Sequence, residues 1–151
     1  MVNVSLVLGR DNSESMVNLL QQVIEIKKKA NPELKNILIL ADGGGSNMSN
    51  GVQWTGELLN LAEYTKCNIY VCHFPPGSSK HNPIEHRLWG PISVHWKGRP
   101  FLSIEHVMRY INETYTKGGS LKKVTCWFDK RRYKTNKEKI ASGESVLTRA
   151  Q

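Results

Sequence analysis

The chain has 151 residues, enough for one domain with a real core, and its 39% hydrophobic content is low for a globular protein yet too high for a disordered one. Three cysteines (Cys67, Cys72 and Cys126) form no disulfide framework, which points to a reducing cytoplasm. No run approaches the roughly 20 apolar residues of a membrane span, and "MVNVSLVLGRDNSES" lacks both a basic leader and a small-residue cleavage site, so no membrane partner and no secretory signal are read.

In chain order, "VNVSLVL" (2–8) alternates and is β-branched, as a strand should be. "SMVNLLQQVIEIKKKA" places Met16, Leu19, Leu20, Val23 and Ile24 at helical spacing. Ser13 or Ser15 is the expected cap, the three lysines suit the helix C-terminus, and Asn31-Pro32 stops it. "NILILA" (36–41) is a continuous apolar run, expected as a strand buried on both faces, and it ends at "DGGGSN". "WTGELLNLAEYTKC" predicts a second helix, "NIYVCHF" a strand that buries Cys72, and "PPGSSKHN" a loop. "PIEHRLWGPISVHW" reads as a helix that tolerates Pro83 in its first turn and bends at Pro91. "SIEHVMRYINETYT" is a further helix broken by Gly118-Gly119, and "KKVTCWF" is a last strand. The four tryptophans (Trp54, Trp89, Trp96 and Trp127) are expected in the core, and Cys126 as a small buried hydrophobe.

Of the formal net charge of +8, most sits in residues 122–139, where eight basic residues face only Asp129 and Glu138. Such a segment is either a solvated, disordered end or an attachment to a polyanion, for which Lys130, Arg131 and Arg132 are the candidate DNA contacts. The expected division is therefore 1–128 for the folded domain and 129–151 for a basic C-terminal tail.

The alternation β-α-β-α-β-α predicts a mostly parallel sheet covered by helices, with function at the carboxyl ends of the strands. Asp42 sits at such an end, followed by three glycines that leave room for a ligand, and Glu85 lies in the first turn of a helix one loop beyond another. Singly, an acid at either place is equally a cap or a partner for the helix dipole. Together, hard oxygen ligands on separate rigid elements suit Mg²⁺ or Mn²⁺. Two such ions could activate a nucleophile and stabilise the leaving oxygen of a phosphodiester. "DGGGSN" lacks the spacing and the lysine of a phosphate-binding P-loop. A zinc site drawn from Cys67, Cys72, His73, His81 and His86 is the rival metal reading, without paired C-x-x-C spacing to support it.

"ILADGGGSN", "YVCHFPPGSSKHNPIEHRLW" and "WKGRPFLSIE" resemble the core of DDE transposases of bacterial insertion sequences, in the group with A-D-G-G-G-S-N and then C-H-F-P-P-G-x-S-K-x-N-x-I-E-H-R-L. "VNVSLVLGRDNSES" and "LKKVTCWFDKRRY" also fit in order, so the resemblance covers most of the chain. It implies an α/β fold of the ribonuclease H-like type, a mixed sheet with helices on both faces, and metal-dependent DNA cleavage and strand transfer. It assigns Asp42 as the second catalytic carboxylate and Glu85 as the third, both holding Mg²⁺ or Mn²⁺. Lys80, Asn82, His86 and Arg87 are near enough in sequence to contact DNA or support the metal ligands.

In the family pattern the first catalytic Asp lies on a strand ahead of the one "VNVSLVL" matches, so the expectation is a sheet lacking its first two strands. Asp11 matches a different family position and is a poor substitute. A site with two of three carboxylates would hold metal weakly or not at all, leaving a fragment inactive alone unless an upstream fragment or another transposase chain completes it. The alternative is a basic nucleic-acid-binding module without chemistry.

Overall fold

In the computed structural model the described residues are 2–9, 12–75, 77–78, 82–114 and 124–144. They form two compact units, one from residues 1–8 and 77–131, the other from 9–76 and 132–151. Four strands and five α-helices are assigned among them, so the chain is α/β.

The second unit begins with α1 (Ser13–Ala30), whose apolar stripe follows from the spacing of Val17, Leu20 and Ile24. Its cap is Asn12, not Ser13 or Ser15. The Asn12 side chain accepts the Ser15 N–H at 2.8 Å, and the Asn12 N–H donates to Ser15 Oγ at 3.0 Å, a reciprocal box. Ser13 is used elsewhere, donating through Oγ to the Ser46 carbonyl at 2.7 Å. β2 (Asn36–Ala41) then runs parallel to β3 (Asn68–His73) in the register Asn36↔Asn68 to Ala41↔His73, with α2 (Val52–Thr65) as the crossover. Lys66 ends α2 in the left-handed region at φ 55°.

α1 and α2 pack their apolar sides around Val17, Ile24, Trp54, Leu61 and Cys67, with Ile37, Ile69 and Val71 of the strands against them. Burying Ile24 and Leu61 stabilises this layer by roughly 1.5–3 kcal/mol each. The opposite face of the strands differs from the sequence expectation. Leu38 and Leu40 are each 61% exposed and Tyr70 is 56% exposed, and Cys72 is exposed as well. The strands are not buried on both faces, because α1 and α2 cover one side of a sheet that, among the described residues, pairs β2 with β3 alone. Along α1 and β2 lies an open apolar groove of about 570 Å³, lined by Leu20, Val23, Ile24, Ile37, Ile39 and Leu40 among others.

In the first unit, β1 (Val2–Gly9) pairs with β4 (Val124–Tyr133). The described strands thus make two two-stranded sheets, where the element order predicted one mostly parallel sheet and the resemblance implied one mixed sheet. Val4, Leu88, Ile92, Ile111, Val124 and Cys126 form this unit's core. α3 (Gly90–Trp96) packs on α4 (Ile104–Glu113), and Asn112 Oδ1 ties α4 to β4 by accepting the Cys126 N–H at 2.6 Å. Trp54 is a core residue as expected, whereas Trp89 is 40% exposed. The bend expected at Pro91 takes the form of a π-helical segment, Glu85–Trp89, running into α3. Pro91 has no N–H to give a carbonyl of the preceding turn, and Gly90 donates five residues back to the Glu85 carbonyl.

β4 continues five residues past Phe128, and α5 (Asn136–Ala141) follows. A Thr135–Glu138 capping box starts α5. The Asn12 amide donates to the Lys134 carbonyl at 3.0 Å, and Lys139 pairs with Glu14. No helix among the described residues is long and apolar enough to cross a membrane.

Candidate functional site

Asp42 stands immediately beyond β2, whose last residue, Ala41, is only 5% exposed and accepts the Phe74 N–H at 2.8 Å. The backbone is therefore fixed up to the residue before the carboxylate. Gly43 then takes φ +75°, the left-handed region that a side chain would resist, and turns the chain back. The turn brings two donors to one oxygen. The Gly44 N–H and Asn47 Nδ2 each lie 3.0 Å from Asp42 Oδ1. Those two bonds, Gly44 first and Asn47 second, hold the Asp42 carboxyl below its ordinary value. Oδ2 accepts no hydrogen bond from another described residue.

The loop is pinned from behind. Asn47 is buried, its N–H donates to the Gly44 carbonyl at 3.0 Å, and its carbonyl accepts His73 Nε2–H at 2.8 Å. With the Ser13–Ser46 bond, the loop is fastened to both α1 and β3. Asn47 is a site residue that sequence reasoning did not single out, and His73 entered it only as a candidate zinc ligand. The signal was available in the last letter of "DGGGSN", where an amide five residues after the acid can close the turn.

Glu85 belongs to the first unit and opens the π-helical segment with an exposed side chain. Its N–H donates to the Asn82 carbonyl at 3.1 Å, and Asn82 Oδ1 accepts the Ile84 N–H at 3.1 Å, so Asn82 starts this helical run. His86 and Arg87 are exposed on the following positions. Lys80, His81 and Asp11 lie outside the described residues. Lys130 and Arg132 are exposed and share one side of β4 by strand alternation. Arg131 is held by the buried Asp129, with guanidinium contacts of 2.6–3.0 Å.

Asp42 offers the kind of ligand that a hard divalent cation takes, a single carboxylate oxygen. The carboxylate is ionised, one of its oxygens is saturated by donors, and a Cβ added at Gly45 would meet nothing within 4 Å. The zinc reading finds different surroundings. Cys67 is buried with its thiol toward the Leu34 carbonyl at 3.4 Å, and Cys72 is exposed next to a His73 that points to the other side of the strand. Among the described residues no three His, Cys, Asp or Glu side chains gather at one point.

The family model described as the Rhodopirellula transposase DDE domain matches residues 1–146. No curated protein and no solved structure matches the chain. The match spans nearly the whole sequence and contains both Asp42 and Glu85, and so the chain belongs to the transposase DDE domain family.

Proposed function

We propose that this chain supplies two carboxylate ligands, Asp42 and Glu85, to a Mg²⁺ or Mn²⁺ site for phosphodiester cleavage and strand transfer on DNA, within a ribonuclease H-like arrangement. The observation that carries the reading is Asp42 itself: an ionised carboxylate at the end of a parallel strand, with one oxygen locked by two donors and glycines beside it. When bound, the ions would supply Lewis-acid activation of a hydroxyl nucleophile and charge stabilisation at the leaving oxygen. The chain's own part is to hold the acids ionised and oriented. Exposed Arg87, His86, Lys130 and Arg132 are the groups assigned to DNA phosphates, with Lys80 alongside them. Asn82 serves the start of the helix that carries Glu85, and Arg131 is engaged by Asp129. Two assigned carboxylates hold an ion less firmly than three, so the polypeptide alone is expected to bind metal weakly and to transfer strands poorly.

The test replaces Mg²⁺ with Fe²⁺ and adds ascorbate and peroxide, so that hydroxyl radicals cut the polypeptide beside the bound ion. Cuts near residues 42–47 and near 82–87, both suppressed by excess Mg²⁺ and both lost in Asp42→Asn, are the expected result. Cutting at only one of the two segments, or an Asp42→Asn pattern like the wild type's, would refute a shared site. For DNA, Lys130→Ala and Arg132→Ala should each weaken binding and make it less salt-dependent by about one counterion. An unchanged slope removes them from the interface.

A further inference from the structure

We propose that Asn47 is a positioning residue for Asp42, and that its amide is buried to orient the carboxylate and not to stabilise the fold. The inference rests on the reading of Asp42 as a metal ligand. Asn47 is 4% exposed, and its two polar ends fare differently. Nδ2 donates to Asp42 Oδ1 at 3.0 Å, while Oδ1 of Asn47 is buried and has no hydrogen-bond partner among the described residues. Turning the amide over would set a carbonyl against a carboxylate, two acceptors facing each other, so the orientation is dictated by Asp42. A buried carbonyl left without a partner destabilises a fold, and an apolar side chain of similar size would remove that penalty. What asparagine gives and leucine cannot is the N–H on Asp42.

The backbone of Asn47 is held independently of its side chain, by the His73 bond to its carbonyl and its own bond to Gly44. A substitution therefore leaves the loop fastened and changes only what faces the carboxylate. With Gly44 and Asn47 both on Oδ1, Oδ2 is the oxygen left to meet an ion, in one fixed direction. Partners of this kind set metal affinity through the ligand they orient.

The experiment uses the full 151-residue polypeptide, ¹⁵N-labelled, titrated with Mn²⁺ while paramagnetic broadening of the Gly43, Gly44 and Gly45 amide signals is followed. Melting is recorded separately without metal. Asn47→Leu is expected to melt at or above the wild-type temperature and to need about tenfold or more Mn²⁺ for half-broadening. Asp42→Asn is expected to lose the broadening. If Asp42→Asn loses it while Asn47→Leu keeps the wild-type midpoint, the positioning role is wrong and the ligand reading survives. If Asp42→Asn keeps the wild-type midpoint, the ligand reading fails and takes this proposal with it. A lower melting temperature for folded Asn47→Leu overturns the claim that the amide is kept for the carboxylate. Should Asn47→Leu not fold, Asn47→Ala is titrated in its place, with the same shift expected and an unshifted midpoint overturning the proposal.

Discussion

Alanine at each of Gly43, Gly44 and Gly45 separates three effects that the turn after β2 combines. At Gly44 the backbone is outside the left-handed region, but a Cβ would stand 3.3 Å from Asp42 Oδ1, 3.6 Å from Oδ2 and 3.7 Å from Cγ. The first distance is a few tenths of an ångström inside ordinary contact, so the carboxylate must swing away. A shift of a few tenths of an ångström is well short of a swing of about 30° off the rotamer, so it costs less than about 0.5 kcal/mol, yet it draws Oδ1 away from its two donors. Gly44→Ala should therefore leave melting nearly unchanged while raising the Mn²⁺ midpoint several-fold. At Gly43 the new Cβ would meet only His73 Cδ2 at 3.9 Å, an ordinary contact, but φ +75° costs a side chain about 1–2 kcal/mol. For a protein of this size that is roughly 2–8 °C in melting temperature. At Gly45 nothing lies within 4 Å, and neither property should fall. Melting by circular dichroism and Mn²⁺ broadening of the wild type and the three variants decide the matter. If Gly45→Ala weakens the ion as much as Gly44→Ala, the steric account of the Asp42 carboxylate is refuted.

The Glu57 carboxyl is raised by its burial first and by neighbouring Glu14 second, against Lys139 and a bond from Asn60. Its folded value lies above its unfolded one, so its favourable share is present at low pH and is lost as pH rises through the folded value. Followed by melting, Glu57→Gln should raise stability at pH 7, by about a few tenths of a kcal/mol at this partly exposed place, and give no gain near pH 4. Equal effects at both pH values would contradict it. Burial pushes the Cys126 thiol up to about 11 and Cys67 is also buried, leaving Cys72 exposed. An aromatic disulfide reagent at pH 8 should find one fast thiol, absent in Cys72→Ser; two fast thiols would disprove the burial pattern. Leu38→Lys places a charge on an exposed apolar strand face, and should reduce self-association in sedimentation with less than about 0.5 kcal/mol change in stability. A wild type that stays monomeric at high concentration would refute it.

The order of elements was legible because each has a local cause: the stripe of α1, its stop at Asn31-Pro32, and the apolar run of β2. Asp42 was legible for the same reason, as the residue where an apolar run meets three glycines. What failed depended on partners far along the chain. "NILILA" is apolar on both faces whether or not anything covers the second, so composition could not reveal that Leu38 and Leu40 are exposed or that Cys72 lies in the open. The π-helical segment escaped because five-residue bonding leaves no trace in a 3.6-residue period. α5 had a signal that went unread, the T-x-x-E of a capping box at Thr135–Glu138, hidden within a run chosen for its charge.

A consequence for the site follows from the uneven cover of β2. Among the described residues of this unit nothing covers the Leu38 and Leu40 face of β2, which would ordinarily make the strand a poor platform for an oriented acid. Yet the Asp42 loop takes its order from α1, from His73 at the end of β3 and from its own turn, not from the Leu38 and Leu40 face. Four bonds of 2.7–3.0 Å close it: Ser13 to the Ser46 carbonyl, His73 to the Asn47 carbonyl, Asn47 to the Gly44 carbonyl, and the Asn47 amide to Asp42. All four lie within one compact unit. The orientation of Asp42 is thus preassembled locally, and exposure of Leu38 and Leu40 bears on association, not on the carboxylate. On this account Leu38→Lys alters self-association and leaves the Mn²⁺ midpoint alone, whereas Gly44→Ala does the reverse.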